Sequence, residues 1–176
     1  MNKLSDYVRC YENLIDKDLC KKIINQKDLS FVSATTGDIK LSYIRKCYTV
    51  KLNNKFDKNI FDIIGKIINK YKNEFKYFGT GETIEDTGYE HLLYLGSDKG
   101  EYQEHVDHAD LFPRVLSCSL ILNDNYEGGD FSFFGGKYIV PKKAGSAVVF
   151  PSNFCFPHAV QPVTKGNRHS IITWIH

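Results

Sequence analysis

No stretch of this sequence approaches the ~20 consecutive apolar residues that a bilayer-spanning helix needs, so a membrane-embedded chain is not expected. Its five cysteines, Cys10, Cys20, Cys47, Cys118 and Cys155, form no C-x-x-C pair, and their number is odd. Neither a disulfide framework nor a structural zinc site is expected, and a reducing compartment fits better. The opening MNKLSDYVRC has no apolar core of the kind a secretory leader carries. A cytoplasmic protein is expected (a host's cytoplasm, if the Lys/Asn/Ile-rich composition marks a viral chain). Charge of one sign is also lacking. The net charge is +2, so the whole molecule offers no broad electrostatic attraction for nucleic acid, and none is expected as partner.

Aromatic residues are plentiful, with 12 Phe and 11 Tyr, and they favour strands. The length suits a single domain over residues 1–176. Two helical patterns stand out early. Asp16 to Lys27 places Leu19, Cys20, Ile23 and Ile24 at helical spacing behind Asp16, a good N-cap. From Phe56 to Phe75, the residues Phe56, Ile60, Ile63, Ile64, Ile67, Ile68 and Tyr71 share one face. Between them, Leu41 to Leu52 reads as a strand. From Tyr89 onward, about eight strand-like runs alternate with turn signals and no helix intervenes. That pattern implies an antiparallel sandwich or barrel with the helices packed outside. Residues 1–88 read as a supporting region and 89–176 as the β core.

Charge divides unevenly along the chain. Residues 1–80 hold 16 Lys/Arg against 9 Asp/Glu, and residues 81–176 hold 7 against 12. A solvated, Lys-rich helical face accounts for the first half. A second reading is that the acidic half welcomes a neutral or basic substrate.

His105 and Asp107 flank Val106, and on a strand residues i and i+2 share a face. A second histidine from another strand would complete a 2-His-1-carboxylate set, which leaves coordination positions open for substrate and O2. His158, in the apolar run FPHAVQPV, is the best-placed partner; His108 would point away, and His91, His169 and His176 lack a comparable setting. Alone, H-x-D is a weak signal, since such triplets arise by chance on surface turns. Arg168 strengthens it. It follows His158 by ten residues across the turn TKGN, which reads as a hairpin placing both in one cavity. A buried Arg needs a partner, and its planar fork suits a carboxylate. Ser170 lies on the same face and can add a hydrogen bond. The bland alternative is that Arg168 caps a surface turn. Trp174 reads as core packing.

These residues, in this order, resemble the 2-oxoglutarate-dependent prolyl 4-hydroxylase-like oxygenases. The resemblance rests on YLGSDKGEYQEHVDH, LILNDNYEGGDFSFF, PKKAGSAVVFPS and HAVQPVTKGNRHSIITW, with YENLIDKDLCKKII similar to the family's N-terminal helix. It implies an α+β fold, a double-stranded β-helix (jelly-roll) with helices outside. It implies Fe(II) on His105, Asp107 and His158, and 2-oxoglutarate bound by Arg168 with Ser170. Tyr94 matches a family tyrosine that contacts the co-substrate, with a core aromatic as the alternative. Ile121 stands where many members have a second tyrosine. Gly128 and Gly129 would form a tight turn, and Arg114 would lie near the substrate. The implied activity is hydroxylation of prolyl residues in a peptide or protein, using O2, with ascorbate as a candidate reductant. Phe75 to Tyr89 would be a lid. Rival readings are hydroxylation of a free amino acid or other small molecule, oxidative demethylation of nucleic acid, and a non-catalytic metal-binding barrel.

Overall fold

The computed structural model describes residues 3–27, 29–35, 43–78, 85–108 and 113–176. Strands are numbered in chain order. The larger sheet runs β1 (Arg9–Tyr11), β11 (Ala147–Pro151), β7 (Leu116–Ile121), β14 (Asn167–Ile175), β5 (Glu90–Leu95), β4 (Tyr48–Lys51) and β2 (Val32–Ser33). The smaller runs β10 (Tyr138–Ile139), β9 (Phe131–Phe133), β12 (His158–Val160), β6 (Glu101–His105) and β3 (Arg45–Lys46). A separate ribbon pairs β13 (Val163–Lys165) with β8 (Glu127–Gly128). The pairings are antiparallel. The architecture is the double-stranded β-helix, with helices α1 (Lys17–Ile24) and α2 (Asn54–Glu74) outside it.

Side-chain alternation builds two cores. Along β14, Arg168, Ser170, Ile172 and Trp174 face a cavity between the sheets, while Ile171 and Ile175 face the helices. The inter-sheet core holds Tyr94, Ile121, Phe131, Phe133, Phe150 and Val160 among others. The outer core joins Leu116, Cys118 and Leu120 of β7 to Ile60, Ile63, Ile64 and Ile67 of α2. The periodic apolar face of α2 is thus spent on the back of the larger sheet. Asn53 caps α2 by accepting from Lys55 N, and Asp16 caps α1 by accepting from the backbone of Asp18 and Leu19. Among the described residues no helix is long and apolar enough to cross a membrane.

Several expectations need correction. The strand expected over Leu41 to Leu52 breaks at Cys47, because the chain changes sheets there: β3 pairs with β6 and β4 with β5. Residues 41 and 42 lie outside the described residues. The helix expected to reach Lys27 ends at Ile24, where its apolar face ends. In YENLIDKDLCKKII only Lys17–Ile24 is helical, and Tyr11 belongs to the edge strand β1. The run HAVQPV is two strands. Pro162 has no N–H to donate, so the ladder stops there, and β13 pairs away with β8. His158 and Arg168 are therefore not on a hairpin, since β12 joins the smaller sheet and β14 the larger. Of the expected lid, residues 79–84 lie outside the described residues. Its flanks are anchored: Phe75 and Phe78 pack on the helix side, and Glu85 exchanges backbone hydrogen bonds with His176. The supporting half also contributes to the β layers, through β1 to β4.

Candidate active site

His105 ends β6 and His158 begins β12, and the two are direct cross-strand partners. Their ring centroids are 4.3 Å apart. Asp107 lies just past the end of β6, so the expected strand alternation does not position it. It nevertheless turns back to both histidines. His105 Nε2 is 3.7 Å from Asp107 Oδ1, and His158 Nε2 is 3.5 Å from Asp107 Oδ2. One ligand atom from each of the three lies within 4.8 Å of the others.

The histidine tautomers follow from their partners. His105 Nδ1 is 2.8 Å from Gln103 O, and His158 Nδ1 is 3.0 Å from Phe156 O. A carbonyl only accepts, so each Nδ1 carries the proton and each Nε2 presents a lone pair to the centre. Tyr102 stacks on His105 at 3.5 Å between centroids, and Phe150 packs edge-on against His158 at 4.7 Å. Burial, followed by the neighbouring His158, lowers the His105 pKa to about 4, so its imidazole is neutral at neutral pH. Burial alone would raise Asp107. His158, the Ser117 hydroxyl and His105 outweigh it and hold the carboxyl below its ordinary range.

Arg168 faces this group from the opposite sheet, and both line one cavity of about 430 Å³. Arg168 is 3% exposed. Nη1 donates to Ser170 Oγ at 2.9 Å. Burial raises the Tyr126 pKa, and the nearby Arg168 charge works against it. Arg168 Nε is buried with no partner. Among the described residues no carboxylate forms an ion pair with Arg168, which leaves a buried cation short of an anion. Tyr94 pairs with Arg168 across β5 and β14, and the guanidinium carbon lies 5.1 Å from its ring. Burial and the Cys47 thiol raise the Tyr94 pKa, so the phenol keeps its proton.

Tyr94, Ser170 and Arg114 thus line the same cavity as the three candidate ligands and Arg168. Arg114 donates to Asp107 O at 3.2 Å and lies 3.7 Å over Trp174. Trp174 is therefore a cavity wall, not the core packing expected. The cavity also gathers Arg45 and Glu90, which the sequence reading missed. Three arginines face it against Asp107 and Glu90, so its described walls do not follow the acidic balance of the second half. Ile121 is core, as its apolar side chain requires, and Tyr126 joins the same core close enough to feel the Arg168 charge. The signal for Tyr126 was an aromatic inside the polar turn Asn123 to Gly129.

A model of the 2OG-Fe(II) oxygenase superfamily matches residues 90–176. This part of the chain belongs to that superfamily. The PKHD-type hydroxylase of Colwellia psychrerythraea (strain 34H / ATCC BAA-681) is 34% identical over 85 residues, covering 43% of this chain and 37% of that protein. The chain thus spans well under half the length of this curated relative. Solved structures extend the likeness to nearly the whole chain. The viral collagen prolyl hydroxylase of Paramecium Bursaria Chlorella virus-1, in its 2OG complex, has a TM-score of 0.73 at 18% identity, over 96% of this chain and 95% of that one. A prolyl hydroxylase from Trichoplax adhaerens, in complex with a hypoxia inducible factor oxygen degradation domain peptide fragment, has a TM-score of 0.76 at 16% identity, over 97% and 84%. At these identities the shared property is the fold.

The superfamily implies Fe(II) and 2-oxoglutarate, and the residues of this cavity fit both. Two imidazole nitrogens and a carboxylate are the donor types that suit non-haem Fe(II) with positions left open. The unpartnered Nε of buried Arg168 suits a carboxylate.

Proposed function

We propose that this chain is an Fe(II)- and 2-oxoglutarate-dependent dioxygenase that hydroxylates a C–H bond of prolyl residues in a peptide or protein. The observation that carries the reading is the meeting of His105, Asp107 and His158 with Arg168 in one inter-sheet cavity. His105, Asp107 and His158 hold the metal. Arg168 pairs with the distal carboxylate of 2-oxoglutarate, and Ser170 and Tyr94 keep its guanidinium in place. Iron, 2-oxoglutarate and O2 together supply the oxidant for the C–H bond, with succinate and CO2 released. Phe131, Phe150 and Tyr102 keep water from the centre. Arg45 and Arg114 present donors at the cavity wall that suit the carbonyls of an extended peptide.

The bacterial relatives' name, PKHD-type hydroxylase, and the prolyl hydroxylases among the solved structures support the prolyl substrate. The test is incubation of the purified chain with Fe(II), 2-oxoglutarate, ascorbate and proline-containing peptides. Succinate and a peptide gaining one oxygen are expected, and both disappear in His105→Ala, Asp107→Ala and His158→Ala. Succinate without any oxygenated prolyl peptide rejects the substrate. A metal-loaded protein that never binds 2-oxoglutarate rejects the class.

A further inference from the structure

β7 is buried along its whole length, yet its Ser117 and Ser119 place hydroxyls in that buried strand. A buried hydroxyl is unfavourable unless it is hydrogen-bonded. Ser117 Oγ lies 2.6 Å from Asp107 Oδ2 and 2.8 Å from Ser152 Oγ. Ser117 and Ser152 are 0% and 1% exposed. A carboxylate only accepts, so Ser117 spends its one proton on Asp107 and must accept from Ser152. The direction of the chain is therefore fixed. Ser152 is itself anchored, its backbone N–H donating to Val115 O at 3.1 Å.

Asp107 needs such support. It lies beyond the ladder of β6, and a carboxylate's last torsion is soft. We propose that Ser152 and Ser117 are positioning residues. Their one-way hydrogen-bond relay locks the Asp107 carboxylate and leaves Oδ1, on the His105 side, as the metal donor. This rests on the reading of His105, Asp107 and His158 as the iron site. Neither serine touches metal or substrate in this role; both act through Asp107.

The test is anaerobic calorimetric titration of the full chain with Mn(II), alongside thermal midpoints. Wild type and His158→Ala come first. Wild type that binds no Mn(II), or His158→Ala that binds as tightly, defeats the iron-site reading itself. Given specific binding, Ser117→Ala is expected to weaken Mn(II) affinity about 10- to 100-fold, as loss of an outer-shell partner does. Ser117→Thr, which keeps the hydroxyl, should restore most of it. Ser152→Ala should lose less, and the double variant should be no weaker than Ser117→Ala, because the two act in series. Affinity unchanged in Ser117→Ala, or additive losses in the double variant, overturns the relay. If Ser117→Ala does not fold, Ser152→Ala decides, and wild-type affinity there overturns it equally.

Discussion

Arg168 carries its charge into a buried position on the cavity wall, with its Nε unpaired. Arg168→Ala should therefore weaken 2-oxoglutarate binding by about 2–5 kcal/mol, the usual loss when one partner of a desolvated charge pair is removed. Arg168→Lys should recover part of it, since Lys keeps the charge and loses the fork. Titration of the Mn(II)-loaded protein with 2-oxoglutarate measures both, and unchanged affinity in Arg168→Ala would remove Arg168 from the co-substrate site. The meeting of His105, Asp107, His158 and Arg168 in one cavity was legible in the sequence, because the metal and carboxylate chemistry proposed for them admits few residue types at few spacings. Ser117, Tyr126, Arg45 and Glu90 were not. Each is a common residue whose role comes only from what the fold sets beside it.

Among the elements, the two helices were the most legible, because a repeating apolar face is a local property. Ile67 of α2 is fully buried against the larger sheet. Ile67→Ala should destabilise the fold by about 2–5 kcal/mol, read as a lowered denaturant midpoint at unchanged slope. The strands were legible as strands, while their partners were not, since pairing joins segments far apart in the chain. That is why the TKGN turn read as a hairpin although its flanking runs enter different sheets. The Gly128-Gly129 turn is a case where local chemistry and fold agree. Gly128 has φ +66°, and a Cβ there would lie 2.3 Å from Pro162 O. Gly128→Ala should lower the thermal midpoint and disturb the β8–β13 ribbon, whereas Gly65→Ala, with nothing within 4 Å, should be neutral or stabilising. Equal midpoints for the two variants would contradict this account.

Over the whole molecule, folding buries His91 and half-buries His169, two histidines that the proposed chemistry does not use. His91 Nε2 and His169 Nδ1 are 3.0 Å apart. Burial, then His169, lowers the His91 pKa to about 3. Burial, then Arg168, lowers His169 to about 4. An unfolded histidine titrates near 6.5. Below that pH the unfolded chain takes up protons that the folded chain refuses, so this contribution is complete above about pH 6.5 and is lost as pH falls toward 4 and then 3. Denaturant unfolding from pH 7 to 4 should show the decline, and His169→Gln should flatten it. A final consequence follows from the placement of His158 and Arg168 on facing sheets. A ligand held by the metal at one end and by the guanidinium at the other is a clasp across the sandwich. Metal with 2-oxoglutarate should slow hydrogen exchange in β12 and β14 together and raise the melting temperature, by about 2.7 kcal/mol of stability at a hundredfold excess over Kd. Succinate, one carbon shorter, should fasten it less, and a smaller rise in melting temperature with metal and succinate than with metal and 2-oxoglutarate checks this.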